Sequence, residues 1–299
     1  MENISFEINE QTKNKIIDFY KPYQVENNGS YIIFFAKYEK VSITIYQSKK
    51  GYKALFSGEN ALYEAKIFNQ NAQVSIPKEK EKISFITFDE QCGSDEVGFG
   101  DFFGPLVVVG VYYSPSLNNL LDNIKDSKKL TDEFILKFVP TILDKVIFSK
   151  LTVHNEKYNS LINKGYNMNK IKAILHNQVL VNLSKKVKVN KYFIDQFCTE
   201  ENYFYYIQNE KEKITNITFH TKGESYFPSV ALASMIARYS FLKEMEVLNQ
   251  KYHLTFPKGA SNIVDEFAEL FVDKYSLEEI KKVCKTNFSN YQLLISNKL

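Results

Sequence analysis

The 299-residue sequence has no tryptophan, three cysteines and a single arginine, Arg238. The cysteines are scattered and form no CxxC pair, which argues against a disulfide framework or a zinc site and favours a reducing compartment. No apolar stretch approaches the ~20 residues that cross a bilayer. The first residues show neither the basic nor the apolar region of a secretory signal. We therefore expect a cytoplasmic protein that has no membrane partner.

Several catalytic motifs are also missing. There is no GxxxxGK[ST] loop, no GxGxxG at the start of a helix and no GxSxG around a serine, which disfavours P-loop, dinucleotide-binding and serine-hydrolase functions. The four histidines are far apart and include no HExxH, so each is interpreted as structural or exposed. The composition is that of an ordinary globular protein, 44% hydrophobic and 24% charged, with a net charge of +3. This mild basicity permits a polyanionic partner without requiring one.

The hydrophobic pattern divides the chain into three parts. Residues 1–72 predict a helix, three strands and a second helix, which together can form a small α+β domain. Residues 73–85 are polar and include the sequence KEKEK, which is typical of a linker. Residues 86–299 alternate apolar strands with long helices, which predicts an α/β or α+β domain around a mixed sheet.

Aromatic residues alternate with lysines in the predicted N-terminal sheet. Two interpretations of this pattern are open. The aromatic rings and lysines can form a nucleic-acid platform by stacking and phosphate neutralisation. Alternatively, the rings face the helices as core and the lysines form a solvated face. The aromatic residues concerned are Tyr31, Phe34, Phe35, Tyr38, Tyr46 and Tyr52.

Acidic residues collect at the ends of predicted strands. Asp95 and Glu96 lie at the end of one strand, Asp195 ends another, and Glu224 follows a third. Strand ends in one sheet lie side by side, so these carboxylates can converge, and their hard oxygens suit Mg²⁺ or Mn²⁺ better than Zn²⁺. Two such ions can activate a water and stabilise the leaving oxygen of a phosphodiester. Taken singly, each acid is more simply explained as a loop cap or a surface charge.

A glycine-rich turn follows the first pair of acids. Gly98 and Gly100 remove side chains from this turn, which allows a ligand to approach the backbone closely. A tight connection between two strands explains the same glycines without any ligand. Asp101, a third acid in the same stretch, is expected to be a turn or helper residue and not a catalytic one.

Taken together, these motifs closely resemble the ribonuclease HIII family, the bacterial type 2 ribonuclease H. The matching segments follow the family's order and cover most of residues 88–262, and such an ordered set is far more specific than any single member. They are GSDEVGFGDFFGP (93–105), DSKKL (126–130), KGYNMNKIKA with LHNQ (164–178), IDQF (194–197), TKGE (221–224), ASMIARY (233–239) and FPKGAS (256–261).

The resemblance implies the α/β class: an RNase H-like fold, with a mixed sheet flanked by helices, and a small α+β N-terminal domain like a TATA-binding-protein repeat. It implies an endonuclease that hydrolyses the RNA strand of RNA/DNA hybrids by two-metal-ion catalysis, leaving 5′-phosphate and 3′-hydroxyl ends. The expected cofactors are two Mg²⁺ or Mn²⁺ ions, with no small-molecule cofactor, and the expected partner is the hybrid duplex. A monomer is expected, and the platform interpretation of the N-terminal sheet becomes the favoured one.

The resemblance also assigns roles to individual residues. The family's catalytic and metal-binding acids correspond to Asp95, Glu96, Asp195 and Glu224, with Asp95 expected to bridge both ions. The remaining implied residues are substrate contacts. They are the backbone of Gly98, Phe99 and Gly100 at the 2′-hydroxyl, Lys128 and Lys129 at phosphates, and the side chains of Arg238, Tyr239 and Lys258.

Some of these roles have alternatives. Lys128 and Lys129 can belong to a solvated turn, and Arg238 can be the structural partner of a strand-end acid. Phe99 stands where the family usually has a small polar residue, and Gly223 stands where alanine is common. Two rival functions also remain open: a non-catalytic protein that binds hybrids or RNA, and a metal-dependent DNA nuclease of the same fold.

Overall fold

The computed structural model describes residues 2–26, 32–48, 51–74, 84–124 and 131–298. The chain divides into two compact units, Met1–Glu79 and Lys80–Leu299. Each unit has its own sheet and its own buried apolar core. Within the described part of the chain, no helix is long and apolar enough to cross a membrane.

The first unit is a four-stranded antiparallel sheet with two helices. Its strands follow the order β1-β4-β3-β2. The sequence predicted three of these strands and missed β1, which pairs along its whole length with β4 and whose only apolar residues are Ile4, Phe6 and Ile8. The elements are β1 (Glu2–Ile8), α1 (Glu10–Tyr20), β2 (Ile32–Tyr38), β3 (Val41–Ser48), β4 (Gly51–Gly58) and α2 (Ala61–Phe68).

Strand alternation separates the aromatic residues of the first unit into two groups. Phe34, Tyr38 and Tyr52 lie in or pack against the buried core of this unit. Phe35 and Tyr46 occupy the alternate positions of their strands and remain partly exposed. The core interpretation is therefore correct for the first group, and the second group lies on the opposite face of the sheet.

The second unit is built around a five-stranded mixed sheet of order β7-β6-β5-β8-β9. The pairs β7-β6 and β6-β5 are antiparallel, whereas the pairs β5-β8 and β8-β9 are parallel. This arrangement confirms the predicted mixed sheet. Its strands are β5 (Gln91–Val97), β6 (Leu106–Tyr113), β7 (Ile147–Val153), β8 (Tyr192–Asp195) and β9 (Ile217–His220).

Helices cover both faces of this sheet. The strand β6 is apolar throughout because it is buried on both sides: Val107 and Val109 belong to one core cluster, and Leu106 and Val108 belong to the other. The helices are α3 (Asn118–Leu121), α4 (Asp132–Phe138), α5 (Asn155–Asn163), α6 (Met168–Ser184), α7 (Glu200–Tyr206), α8 (Pro228–Tyr252), α9 (Asn262–Lys274), α10 (Leu277–Ile280) and α11 (Ser289–Lys298).

The strand β5 lies unusually close to α8. A Cβ atom at Gly93 would lie 2.3 Å from Ser229 Oγ and 2.7 Å from Val230 N, nearer than such atoms approach in proteins. Ala233 and Ala237 of the same helix are fully buried, and their short side chains allow the helix and the sheet to pack closely. Small residues on both elements therefore bring α8 against the strand that carries Asp95.

Candidate active site

The sheet places the predicted acids at one edge. Ser94 of β5 pairs with Ile194 of β8, so Asp95 lies beside Asp195 on the next strand. A short 3₁₀ turn, Gly223–Ser225, follows β9 and carries Glu224. The backbone N–H of Gly223 donates a hydrogen bond to Asp195 Oδ1 at 2.9 Å, which fixes this turn to the end of β8.

Asp95 is the most buried of these carboxylates, with 8% of its surface exposed. Its Oδ1 accepts the backbone N–H of Glu96 at 2.7 Å, and the Ser234 hydroxyl of α8 is a further hydrogen-bond partner. Burial raises the pKa of Asp95 well above its ordinary value, and the charges of Glu96 and Asp195 raise it further. The carboxylates therefore lie close enough to repel one another.

Asp195 and Glu96 respond differently to this environment. Burial raises the pKa of Asp195, and the charge of Glu96 adds to the effect. Burial also acts to raise the pKa of Glu96, but hydrogen bonds and charges from His176 and Lys172 outweigh it and lower that pKa to about 2. One carboxylate of the group is thus firmly ionised, and two are held under electrostatic strain.

Two residues of α6 bind Glu96 directly. Lys172 Nζ lies 2.5 Å from Glu96 Oε1, and His176 Nε2 lies 2.8 Å from Glu96 Oε2. His176 Nδ1 lies 2.8 Å from the Ser94 hydroxyl. Because a carboxylate only accepts, His176 Nε2 carries a proton. This chain of contacts ties α6 to β5 at the acidic edge.

Nothing in the sequence pattern gives Lys172 a role, and the spacing of the histidines predicts that His176 is structural or exposed. His176 is in fact fully buried and touches a predicted catalytic acid. The signal was present in the sequence, because the two residues are four apart and so lie on one face of a helix. It could not be used without knowing that this face meets Glu96.

The donor atoms at this edge fit a divalent cation, although their side chains are not arranged as a preformed metal site. Carboxylate oxygens are the ligands that Mg²⁺ and Mn²⁺ prefer, and mutual repulsion among buried acids is relieved by a cation. In the part of the chain that the structure describes, no three histidine, cysteine, aspartate or glutamate side chains form a preformed metal-binding group. Both oxygens of Glu96 are instead engaged by Lys172 and His176.

The glycine-rich turn lies immediately after the acids. Gly98 has a φ of +99°, and a Cβ there would lie 2.2 Å from the Pro105 oxygen, so the turn requires glycine at this position. The N–H of Asp101 closes the turn onto the Gly98 oxygen at 3.4 Å. The Phe99 ring is buried beneath the turn, with Lys172 Nζ 4.4 Å from its centroid.

Arg238 has a partner that the sequence analysis did not foresee. Its guanidinium binds Asp132, the first residue of α4, with distances of 2.8 Å and 3.1 Å, and Lys258 also donates to this carboxylate. Asp132 lies at the start of α4, which packs on α8, so this helix supplies a carboxylate partner for Arg238 that is not a strand-end acid. Tyr239 packs partly buried against the apolar core.

A cavity of about 330 Å³ brings Glu224 together with Asp132 and Arg238. Glu224, Ser234, Asp132 and Arg238 line it together with apolar side chains. Lys128 and Lys129, predicted to hold phosphates, lie outside the described residues, as does Tyr31 of the first unit.

The sequence model of the ribonuclease HII family matches residues 92–291, and that of a domain of unknown function (DUF3378) matches residues 3–81. Ribonuclease HIII of Phytoplasma mali (strain AT) is 39% identical over 297 residues, which cover 97% of each chain. Ribonuclease HIII of Lactococcus lactis subsp. lactis (strain IL1403) is 36% identical over 298 residues, which cover 98% of each chain.

A solved structure agrees with these relatives. The crystal structure of Bst-RNase HIII in complex with Mn²⁺ matches with a TM-score of 0.67 and 32% identity, covering 99% of this chain and 98% of that one. A mixed sheet with acidic strand ends, flanked by helices and preceded by an antiparallel-sheet domain, defines a nuclease of the ribonuclease H class. The chain belongs to the ribonuclease HII family and, within it, to the ribonucleases HIII.

The strain on Asp95 predicts a stabilising substitution. Its pKa in the folded state lies above the unfolded value, so the stability it contributes at low pH is lost as the pH rises through the folded pKa. We expect Asp95→Asn to raise the free energy of unfolding by about 1–2 kcal/mol at pH 7 without divalent ions.

Urea unfolding in the presence of a chelator measures this effect. The gain should shrink as the pH falls to about 4, where the unfolded-state carboxylate is itself half protonated. The surface substitution Asp273→Asn is the control, and we expect it to change stability by less than about 0.5 kcal/mol at either pH. Loss of stability in Asp95→Asn at pH 7 would contradict the proposed repulsion.

Proposed function

We propose that the protein is an endonuclease that hydrolyses the RNA strand of RNA/DNA hybrids with the help of two divalent metal ions, giving 5′-phosphate and 3′-hydroxyl ends. The observation that carries the proposal is the juxtaposition of Asp95, Glu96 and Asp195 at the edge of one sheet, close enough for each charge to affect the others. In a member of the ribonuclease HII family, such a cluster is best explained as a metal site. The same proposal implies a cytoplasmic monomer.

Four carboxylates would hold the two ions in this proposal. Asp95 lies centrally and would bind both, while Glu96, Asp195 and Glu224 would complete their coordination. Ions bound there would supply an activated water and stabilise the leaving oxygen of the phosphodiester. Mg²⁺ and Mn²⁺ both suit these ligands.

The protein's own residues prepare this site. Lys172 and His176 keep Glu96 ionised and oriented, so that this ligand needs no proton loss before it binds a cation. The contact between Gly223 and Asp195 sets the position of the turn that bears Glu224. The pair formed by Asp132 and Arg238 leaves the guanidinium partly exposed, where it can also approach a substrate phosphate.

Gly100 supports a role of the glycine-rich turn in reading the sugar. Its φ lies outside the left-handed region, and a Cβ atom there would meet nothing within 4 Å. Neither backbone conformation nor packing therefore requires glycine at this position. Close approach of a ligand to the backbone explains it, and we propose that Gly98, Phe99 and Gly100 contact the ribose 2′-hydroxyl, which distinguishes RNA from DNA.

The main test compares three labelled duplexes in Mg²⁺ and in Mn²⁺. We expect cleavage of the RNA strand of a hybrid and no cleavage of a DNA duplex, because a DNA duplex has no 2′-hydroxyl to meet this site. An RNA duplex should be cut far less efficiently than the hybrid. Asp95→Asn should lose more than about 100-fold in rate yet still bind the hybrid, since it removes a ligand and not a substrate contact.

The rival functions give different results in this test. A non-catalytic binding protein would bind the hybrid but would cut none of the three duplexes. A DNA nuclease of the same fold would cut the DNA duplex as well. An intact hybrid with either metal ion would be fatal to the proposed function.

We also propose that the sheet face of the first unit that carries Phe35 and Tyr46 binds the hybrid. Lys37 shares this face with Phe35 on β2, and Lys53 of β4 pairs directly with Tyr46. Lysines beside partly exposed rings can neutralise phosphates while the rings contact sugars or bases. The face opposite is closed by the helices and forms the core.

The salt dependence of hybrid binding tests this face. The double substitution Lys37→Gln/Lys53→Gln should weaken affinity and lower the slope of log Kd against log salt by about 1 to 2, since each phosphate contact releases about one counterion. Lys66→Gln on α2, an exposed lysine on the helical side, is the control and should leave the slope unchanged. Equal slopes in both variants would assign Lys37 and Lys53 to a merely solvated surface.

A further inference from the structure

A buried lysine outside the acidic cluster holds the glycine-rich turn. Lys285 has no exposed surface. Its ammonium group donates hydrogen bonds to the backbone oxygen of Asp101 at 2.6 Å and to that of Gly104 at 2.7 Å. Asp101 is also the residue whose N–H closes the turn onto Gly98. The lysine therefore fixes the last residue of the turn from the protein interior.

The backbone around Lys285 follows the same segment. We call residues 283–285 the C-terminal strap. The N–H of Lys285 donates to the Phe102 oxygen at 2.9 Å, and the N–H of Gly104 donates to the Val283 oxygen at 3.0 Å. An antiparallel bridge joins Phe103 to Cys284. The strap and residues 102–104, which are far apart in sequence, thus form a short antiparallel pair.

Two further contacts make this unit rigid. Asn155 of α5 donates to the same Gly104 oxygen at 2.9 Å. The Asp101 carboxylate accepts the N–H of Gly259 at 2.6 Å. This contact gives Asp101 a structural role, as expected of a turn or helper residue. The segment after the turn is therefore held by groups from three separate parts of the chain.

A buried ammonium group is a costly way to satisfy two carbonyls. Burial lowers the pKa of Lys285 to about 7, against the opposing effect of the Asp101 charge. An apolar residue of similar length would avoid this cost but would leave the Asp101 oxygen without its donor. The lysine is thus suited to fixing the path of the backbone at this point. A fixed path matters most where backbone groups themselves bind the substrate.

We infer that Lys285 is a positioning residue for the reaction, which holds the backbone of Asp101 and Gly104 so that the glycine-rich turn meets the ribose in the correct place. This inference rests on the proposed function, because it takes the turn to be the part that reads the 2′-hydroxyl. Lys285 acts through the backbone and not by contact with the substrate.

Single-deoxynucleotide substrates test this role in the full-length chain. One hybrid has an all-ribose RNA strand, and a matched set has one 2′-deoxynucleotide at each successive position around the cleavage site. In the wild type, one position should show the largest loss of kcat/KM. In Lys285→Met, kcat/KM for the all-ribose hybrid should fall by about 10- to 100-fold, as expected for a displaced binding group.

The informative quantity is the ratio of kcat/KM for the all-ribose hybrid to kcat/KM for the hybrid with a deoxynucleotide at that one position. We call this ratio the penalty. In Lys285→Met this penalty should shrink toward onefold, because the contact it reports is already lost. Lys282→Met is the matched control: it lies three residues away in the same segment with a side chain 47% exposed. We expect it to keep both the wild-type rate and the wild-type penalty.

The outcomes separate this inference from the proposed function. A folded Lys285→Met that loses rate uniformly, with its penalty unchanged, would overturn the inference and leave the proposed function intact. Should Lys285→Met fail to fold, Asn155→Ala removes the other donor to Gly104, and an unchanged penalty in that variant would overturn the inference equally. A wild-type protein that does not cut the all-ribose hybrid would overturn the proposed function and, with it, this inference.

Discussion

The mutual repulsion of buried carboxylates is the constraint around which the second unit is built. Asp95 lies between the start of α8 and the end of β8, and the charges of Glu96 and Asp195 oppose its ionisation. Such an arrangement is unfavourable for folding alone. The surrounding structure compensates by binding one member of the group, Glu96, to two cationic or polar partners on α6.

The close packing of the sheet serves the same arrangement. Gly93 lets β5 approach α8, which brings the Ser234 hydroxyl to Asp95. The parallel pairing of β5 with β8 sets Asp95 beside Asp195. Directly beyond the acids, the chain turns through Gly98 and is anchored by the C-terminal strap. Two of the proposed metal ligands, Asp95 and Glu96, are thus neighbours of the proposed reader of the sugar on one stretch of backbone.

Much of this site could be predicted from the sequence because its parts are local. The strand ends follow from apolar runs bounded by acids, and an ordered set of short motifs identifies the family. Thr131 directly precedes α4, and its hydroxyl accepts the N–H of Phe134 at 3.2 Å, as is typical of a threonine at the start of a helix. These features depend on residues a few positions apart, and local patterns report them well.

The parts that could not be predicted depend on contacts between distant segments. Glu96 meets Lys172, Arg238 meets Asp132, and Lys285 meets Asp101, with no local pattern that fixes any of these pairs. The edge strand β1 was missed because its pairing with β4 becomes evident only in the folded sheet. Strand register decides which aromatic residues of the first unit face the core. A shift of one residue in that register would exchange the two faces.

Calorimetric titration of the protein with Mn²⁺ tests whether the mutually repelling carboxylates form a metal site. Performed near pH 6 in two buffers with different ionisation enthalpies, it gives both the affinity and the number of protons released. We predict saturable binding with proton release, because cations must displace protons held by acids whose pKa values are raised. We also predict that Asp95→Asn loses most of this binding. Binding that is absent in the wild type, or unchanged in Asp95→Asn, would contradict these predictions.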